Sequence, residues 1–226
     1  MHYNKIVHGK FISRPNRFIA HVEIDGVEEV VHVKNTGRCK ELLLPGVEVI
    51  LEDCDNPEGK ITEGKATERK TRYDLVAVYK KGFGLINIDS QAPNKVVYEW
   101  LMSQGYDYIK PEYTYGDSRV DFYMEKDGEK YLLEVKGCTL EIDGKGYFPD
   151  APTERGAKHL RELTKAVSEG YRAILGFVVQ MDGIDTVYPN TATDGKFTEA
   201  YEEAIQSGVE IKIFKCHIRE DGFEIV

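Results

Sequence analysis

The sequence predicts a two-domain protein in which a small all-β barrel precedes a mixed α/β domain. Up to about residue 82, short runs of alternating apolar residues are separated by turn signals, and no long helical pattern interrupts them. After that point two segments of helical periodicity enclose three strand-like runs, and a continuously apolar run follows. This order, α-β-β-β-α-β, indicates a mixed α/β domain. We therefore predict an all-β domain at 1–82 and an α/β domain at 83–226.

The predicted barrel is built from five short strands. Asp25-Gly26, Pro45-Gly46 and Asn56-Pro57 are turn signals between the alternating runs. Strands of this number and length, without a long helix, suit a small barrel. We expect them near residues 5–12, 17–24, 27–33, 46–52 and 72–79.

Capping signals place the helices of the second domain. Asn94 is a good N-cap for a first helix that runs to about Ser103. Thr153 is the expected N-cap of a second helix that runs to about Glu169 and ends at Gly170. The tail after residue 215 is expected to be peripheral. The strands are expected near residues 109–115, 119–125, 131–136, 171–179 and 209–215, and a last helix near 197–206.

The composition indicates a soluble protein, which we expect to be cytoplasmic. No apolar run approaches the roughly 20 residues that span a bilayer, and the first residues lack the apolar stretch of a secretory signal. We therefore expect no membrane association. The four cysteines form no CxxC or CxxH pair, which argues against a zinc knuckle and a disulfide framework. No small-molecule cofactor is expected.

The net charge of −9 opposes nucleic-acid binding as a property of the whole chain, because such binding depends on clustered lysine and arginine. The charge is uneven, however. Residues 1–80 contain 13 basic and 13 acidic residues, and the remainder contains 17 and 26, which together give the totals of 30 and 39. The sequence thus allows a local basic face, although ordinary solvated charge explains each cluster equally well when it is taken singly. The clusters are RPNR (Arg14, Arg17), KNTGRCK (Lys34, Arg38, Lys40) and ERKTR (Arg69, Lys70, Arg72).

A predicted β-hairpin, SRVDFYMEKDGEKYLLEVKG, is the most informative segment of the chain. Its two apolar-alternating runs meet at Asp127-Gly128, a dipeptide favoured in two-residue hairpin turns. If these are the loop residues, Lys126 pairs with Glu129. Counting outward along the ladder then brings Asp121 opposite Glu134.

Two carboxylates and a lysine therefore converge on one face of the hairpin, because side chains alternate along a strand. Asp121, Glu134 and Lys136 share that face. Opposed like charges are destabilising unless something offsets them, and a bound cation would do so. Carboxylates together with the backbone carbonyl of Val135 form a ligand set for Mg²⁺ or Mn²⁺. Glu99 on the preceding helix is a candidate outer ligand.

Such an ion can polarise a phosphoryl oxygen and generate hydroxide near neutral pH, as phosphodiester hydrolysis requires. Lys136 would lie beside the metal-bound water and stabilise negative charge in the transition state. The alternative is a solvent-facing hairpin without a site, in which Lys136 and Arg119 screen the two acids.

The arrangement around these residues resembles the PD-(D/E)XK nuclease core. In that core an acid stands on the first helix, another on the second strand and an ExK triplet on the third. Glu99, Asp121 and the triplet from Glu134 to Lys136 follow this order. Val120 stands where the motif's proline would be, a departure that this loosely conserved position tolerates. The resemblance favours the metal-site interpretation of the hairpin.

A closer resemblance runs from Gly9 to Val209. The segments that carry it are RPNRF, NTGRC, APN, SRVDF, LEVKGCTL and FPDAPTERGAKHLREL. Together they resemble the sugar fermentation stimulation protein family. The resemblance implies an N-terminal OB-fold followed by a PD-(D/E)XK-like domain. It also implies DNA binding and regulation of sugar-utilisation genes, including maltose metabolism, and leaves open whether the protein cleaves DNA.

The resemblance suggests DNA-binding candidates in both domains. OB-folds usually bind strands through basic and aromatic side chains. On the second helix of the second domain, polar side chains could contact phosphate, and the first helical turn already favours an anion. For Lys158 alone, a solvated helix face is the preferred interpretation. The candidates are Arg14, Arg17, Phe18, Lys34 and Arg38 in the barrel and Arg155, Lys158 and His159 on the helix.

Three hypotheses of different class follow. The leading one is a DNA-binding regulator of sugar utilisation that retains an acidic Mg²⁺ or Mn²⁺ site. The second is a Mg²⁺-dependent nuclease, which the complete set of Asp121, Glu134 and Lys136 favours. The third is an acidic protein-interaction module, which the net charge alone would suggest.

Overall fold

The computed structural model describes residues 1–35, 37–54 and 70–226. The turn predicted at Asn56-Pro57 and the basic residue Arg69 lie outside the described residues. The chain divides into two compact units, and each is discontinuous in sequence. The barrel unit contains His2–Ser90 together with Arg219–Gly222, and the αβ unit contains Met1, Gln91–Ile218 and Phe223–Val226.

The barrel unit contains one sheet of six strands in the order β3-β2-β1-β4-β5-β6. An additional parallel pairing of β3 with β5, through His32 with Asp74 and Val33 with Leu75, closes the barrel. The five predicted strands are confirmed, and a short sixth strand after residue 82 pairs with β5. The strands are β1 (Ile6–Ser13), β2 (Ile19–Ile24), β3 (Val27–Val33), β4 (Glu48–Asp53), β5 (Tyr73–Lys80) and β6 (Gly84–Asn87).

Strand β5 organises the barrel core. Its first six residues are all buried, because β5 pairs with β3, β4 and β6. Strand β2 shows the alternation expected of a strand with one face in the core, and Ala20, Val22 and Ile24 point inward. A Cβ at Gly9 on the neighbouring β1 would lie 2.4 Å from Val22 Cγ1. Glycine is therefore required where these two strands approach closely.

The αβ unit follows the predicted α-β-β-β-α-β order. Its main sheet has six strands in the order β15-β14-β12-β9-β8-β7. Strands β7, β8 and β9 are antiparallel, whereas β9, β12 and β14 are parallel. A three-stranded sheet, β10-β11-β13, was not predicted. The elements are α1 (Ala92–Met102), β7 (Tyr108–Tyr115), β8 (Ser118–Lys126), β9 (Glu129–Cys138), β10 (Leu140–Ile142), β11 (Lys145–Phe148), α2 (Glu154–Ser168), β12 (Arg172–Val179), β13 (Val187–Pro189), α3 (Gly195–Gln206), β14 (Glu210–Arg219) and β15 (Gly222–Ile225).

The helix starts test the capping predictions. Thr153 is confirmed as the N-cap of α2, since its side chain accepts a hydrogen bond from Gly156 N at 3.0 Å. The prediction that Asn94 caps α1 is wrong, because the helix begins at Ala92 and Pro93 occupies its first turn. The Asn94 side chain is thereby left to contact another element. Among the helices of the described residues, none is long and apolar enough to cross a bilayer.

The β8–β9 hairpin has the predicted turn and register. Asp127 and Gly128 have φ angles of 52° and 80°, as both central residues of a type I′ turn require. Lys126 pairs with Glu129, and the ladder continues in the same register to the pair of Phe122 with Leu133.

The C-terminal tail is not peripheral, in contrast to the prediction. β14 extends to Arg219, and β15 returns beside it as the edge strand of the main sheet. Phe223 on β15 is fully buried, so the end of the chain contributes to the core of the αβ unit. The tip of this hairpin, Arg219–Gly222, belongs to the barrel unit, where Glu220 accepts a hydrogen bond from Tyr79 Oη at 2.6 Å.

Replacing Phe223 with alanine tests the role of the tail. We expect Phe223→Ala to lower the free energy of unfolding by about 3–5 kcal/mol, because it leaves a cavity at a fully buried position. Urea denaturation followed by circular dichroism measures the change. Val226→Ala, at a position 76% exposed, is the control and should change stability by less than about 0.5 kcal/mol. Equal stability of the two variants would contradict the placement of β15.

Candidate metal centre and basic groove

Asp121 lies on β8 next to the last described pair of the β8–β9 ladder, Phe122 with Leu133. Its Oδ2 accepts a hydrogen bond from the backbone N–H of Val135 on β9 at 2.7 Å, and its Oδ1 accepts one from Asn94 Nδ2 on α1 at 2.7 Å. Two elements therefore fix the half-buried carboxylate of Asp121.

Glu134 on β9 is the buried carboxylate of the pair, with 2% of the residue exposed. Its Oε1 bonds to Lys136 Nζ at 2.5 Å and to Nδ1 of His159 on α2. Its Oε2 is buried and has no hydrogen-bond partner within the described residues. A buried carboxylate oxygen is expected to have a partner, so Oε2 marks a position where a ligand could bind.

His159 is held on its other side by Arg155, whose Nε donates to His159 Nε2 at 3.2 Å. We predicted both residues as DNA contacts on the polar face of α2. The structure places His159 in the interior beside Glu134, with 7% exposed, and not on the surface. Arg155 is exposed and links this interior contact to the surface of the helix.

The two carboxylates have opposite pKa shifts. Burial, together with the charge of Glu134, raises the pKa of Asp121, although the hydrogen bond from Val135 N opposes this shift. Burial also acts to raise the pKa of Glu134, but the hydrogen bond from His159 and the charge of Lys136 outweigh it and lower that pKa. A cation bound beside both groups would offset the repulsion that raises the pKa of Asp121.

These residues fit a hard divalent cation. Glu134 Oε2 is unpaired among the described residues, and each oxygen of Asp121 accepts one described hydrogen bond and can accept a second interaction. Carboxylate oxygens are the ligands that Mg²⁺, Mn²⁺ and Ca²⁺ prefer. Val135 contributes its N–H to Asp121, and ligation by its backbone carbonyl stays a prediction.

A groove leads to Asp121 from solvent and has a volume of about 240 Å³. The ring of Tyr98 is 39% exposed and stacks on Phe122 with centroids 6.2 Å apart. Glu112 on β7 has a φ of 53° and forms an ion pair with Arg119 at 3.0 Å. The groove is lined by Asn94, Lys95, Tyr98, Pro111, Glu112, Asp121 and Phe122.

The structure does not bring Glu99 to this centre. Its side chain is 58% exposed and accepts a hydrogen bond from the N-terminal amine of Met1 at 2.7 Å. Glu99 lies five residues after Asn94, so the two side chains cannot share one face of α1. Asn94 is the α1 residue at Asp121, and Pro93 in the first turn is a sequence signal for the start of the helix but not for this contact.

Lys158 is 59% exposed and its nearest described acid is Glu162 on the same helix, at 3.6 Å. Lys158 therefore lies on a solvent-exposed face of α2, which is the interpretation preferred from the sequence. The cationic side chain is available to a ligand but is not part of the carboxylate centre.

A basic groove lies on the barrel unit and has a volume of about 550 Å³. Arg17 and Arg38 are exposed in it, as a role in ligand contact would require, and Lys40 also lines it. Phe18 is 55% exposed next to Arg17. The described lining residues include no acid and are Phe11, Ile12, Ser13, Arg14, Asn16, Arg17, Gly37, Arg38, Lys40, Leu43 and Pro45.

Arg14 has a structural role in this groove. Its guanidinium donates to the backbone carbonyls of Arg17, Asn35 and Arg38 at 2.7, 2.7 and 2.8 Å. Arg14 therefore ties together the two loops that present Arg17 and Arg38. Its charge still contributes to the groove, although its donors are largely used.

Lys34 is not a surface lysine. Its side chain is 13% exposed, and its Nζ lies 3.1 Å from Asp74, 3.4 Å from Glu52 and 3.5 Å from Asp89. Burial acts to lower the pKa of Lys34, but the charges of Asp89 and Asp74 outweigh it and raise that pKa. Glu52, Cys54 and Asp74 lie close enough to hold a metal ion, but the Lys34 ammonium already lies beside the carboxylates of Glu52 and Asp74.

Removing Lys34 should therefore destabilise the barrel. We expect Lys34→Ala to lower the free energy of unfolding by about 3–5 kcal/mol, because the buried Asp74 and Asp89 would lose their ion pairs with the Lys34 ammonium. Thermal and urea denaturation measure this change, with the exposed Lys10→Ala as the matched lysine control. A variant as stable as Lys10→Ala would contradict this stabilising role of Lys34.

Comparison with known protein families accounts for both units. Residues 12–88 match the family model described as the SfsA N-terminal OB domain. Residues 91–222 match the model described as the sugar fermentation stimulation protein RE domain. The two matches cover the barrel and the αβ unit in turn.

Curated relatives and a solved structure agree with these models. The sugar fermentation stimulation protein homolog of Desulfitobacterium hafniense strain Y51 is 51% identical over 99% of this chain and 95% of its own length. The homolog of Ruminiclostridium cellulolyticum is 48% identical over 100% and 96%. The structure of Pyrococcus furiosus SfsA in complex with Ca²⁺ superposes with a TM-score of 0.82 at 29% identity, covering 99% of this chain and 94% of that one. The chain therefore belongs to the sugar fermentation stimulation protein family.

Proposed function

We propose that this protein binds DNA through the basic groove of its barrel unit, and that this binding serves the regulation of sugar-utilisation genes, including those of maltose metabolism. The observation that carries the proposal is the groove itself, in which Arg17, Arg38 and Lys40 line an open surface without an acid among its described residues. Family membership connects the protein with sugar fermentation stimulation.

The charge distribution supports this assignment. The acidic excess of the chain lies after residue 80, whereas the groove lies in the third of the chain that is neutral overall. Phosphate binding depends on local cations that displace counterions, so the net charge of −9 does not oppose it at this groove. The exposed ring of Phe18 could stack on a base if the strand is single.

The double variant Arg17→Ala/Arg38→Ala tests the groove. We expect weaker DNA binding at every salt concentration, and a salt slope reduced by about 0.9 for each phosphate that the variant no longer neutralises. Fluorescence anisotropy over a salt series measures both quantities. Arg14 is left intact because it holds the loops, and Lys10→Ala, outside the groove, is the control. An unchanged slope would remove the barrel groove as the DNA-binding surface.

A second candidate function is Mg²⁺- or Mn²⁺-dependent hydrolysis of DNA phosphodiester bonds. The observation that favours it is Glu134 Oε2, which has no partner among the described residues and lies on the same carboxylate that binds Lys136. Asp121 and Glu134 would hold the cation, which would polarise a phosphoryl oxygen and lower the pKa of bound water. The Pyrococcus furiosus relative was solved in complex with Ca²⁺, an ion that shares the oxygen ligands of Mg²⁺.

The residues of the chain would act on the phosphate directly. The half-buried Lys136 ammonium would stabilise negative charge that develops on phosphate oxygens. Asn94 and the Val135 N–H hold Asp121 in a fixed orientation at the end of the groove. The groove beside Asp121 would admit the strand, with the partly exposed Tyr98 ring at its side.

One gel experiment tests this second function. Supercoiled and linear DNA are incubated with the protein in EDTA, Mg²⁺ or Mn²⁺, beside Lys136→Ala, Glu134→Gln and the control Lys130→Ala on the same strand. We expect metal-dependent cutting that falls by about 10²-fold or more in the first two variants. Lys136→Ala removes a cation that stabilises negative charge in the transition state, and Glu134→Gln removes a charged ligand of the metal ion.

A mobility shift without cutting in any metal would reject hydrolysis and support the binding proposal alone. Cutting that survives in Lys136→Ala and Glu134→Gln would place the chemistry elsewhere. Neither a shift nor cutting would favour the third hypothesis, an acidic protein-interaction module.

A further inference from the structure

We infer that Arg155 and His159 are positioning residues for Glu134: Arg155 fixes the tautomer of His159, and His159 then holds one oxygen of Glu134 so that the other faces a cation. The positioning of Glu134 toward a cation rests on the cation site proposed above. The tautomer itself is independent of that proposal.

The tautomer follows from the donors. An arginine guanidinium can only donate hydrogen bonds, so the Arg155 Nε contact requires His159 Nε2 to be an acceptor. The single ring proton then lies on Nδ1, which faces Glu134 Oε1. His159 therefore donates to the carboxylate, and the chain of hydrogen bonds runs from Arg155 through His159 to Glu134.

The start of α2, which carries Arg155 and His159, is anchored by hydrogen bonds to the start of α3. Asp194, the N-cap of α3, accepts from Phe197 N at 3.0 Å and from Thr153 N at 2.7 Å. Thr153 in turn caps α2 one residue before that helix begins. Arg155 and His159 lie in the first two turns after this anchor, and His159 is buried.

Glu134 is held through one of its two carboxylate oxygens. Oε1 receives both His159 Nδ1–H and Lys136, whereas Oε2 is buried without a described partner. Rotation of the carboxylate would break both hydrogen bonds to Oε1, so these bonds keep Oε2 in one orientation. Residues that orient a ligand in this way typically change metal affinity by about 10- to 100-fold when they are replaced.

Nitrogen NMR of the metal-free protein tests the tautomer. In the metal-free protein, the ring of His159 should carry its proton on Nδ1, with Nε2 showing the shift of an unprotonated nitrogen. His159→Asn identifies the resonance by its loss. A proton on Nε2 would overturn the inference, whatever the protein does with metals or DNA.

Calorimetric titration with Mn²⁺ tests the positioning role. We expect His159→Leu to weaken Mn²⁺ binding by about 10- to 100-fold, and His159→Asn to recover most of the loss, because its amide places a donor close to the position of Nδ1. Lys165→Ala, an exposed position on the same helix, is the control. Circular dichroism melting confirms that each variant is folded.

The outcomes separate the two proposals. Equal weakening by leucine and asparagine would show that His159 only packs, and unchanged affinity in both would show that it does not position Glu134. If the wild-type protein takes up no Mn²⁺, the cation site fails and the positioning role fails with it, whereas the NMR result still decides the tautomer.

Discussion

The αβ unit is organised around two carboxylates that are withdrawn from solvent side by side. Asp121 and Glu134 repel each other, and burial, which is nearly complete for Glu134 and partial for Asp121, makes each depend on hydrogen-bond donors from the protein. The donors come from α1, β9 and α2: the Asn94 amide, the Val135 N–H with Lys136, and His159. The two helices and the hairpin are thus coupled through a single pair of acids. Of the four carboxylate oxygens of this pair, Glu134 Oε2 has no hydrogen-bond partner among the described residues, and the proposed cation site depends on it.

The hairpin could be predicted residue by residue, whereas the side chains by which the helices contact it could not. A type I′ turn fixes the register of the two strands it joins, so counting from Asp127 was sufficient to place Asp121 near Glu134. The rotation of α1 depends on how it docks on the sheet, and sequence spacing contains no information about that. For this reason Asn94, and not Glu99, reaches Asp121.

The basic residues of the barrel show a second limit of sequence patterns. A lysine or arginine contributes charge in the same way wherever it stands in a sequence, but its use depends on its neighbours in the fold. The Lys34 side chain is largely buried among carboxylates, and Arg14 donates hydrogen bonds to backbone carbonyls. Arg17 and Arg38, by contrast, are exposed. Two of the four arginine and lysine candidates in the barrel are therefore structural, and the position of Arg14 is what keeps the two exposed arginines on one surface.

The short hairpin tip from Arg219 to Gly222 has a consequence for how the protein can be divided. It comes from the far end of the chain but is part of the barrel unit, where Glu220 accepts from Tyr79 and lies 3.3 Å from His8. A gene fragment that stops at residue 90 would encode a barrel without these contacts, and one that starts at residue 91 would lack Met1, the partner of Glu99. The two units are thus interleaved in the gene, and a division at residue 90 would remove contacts from both of them.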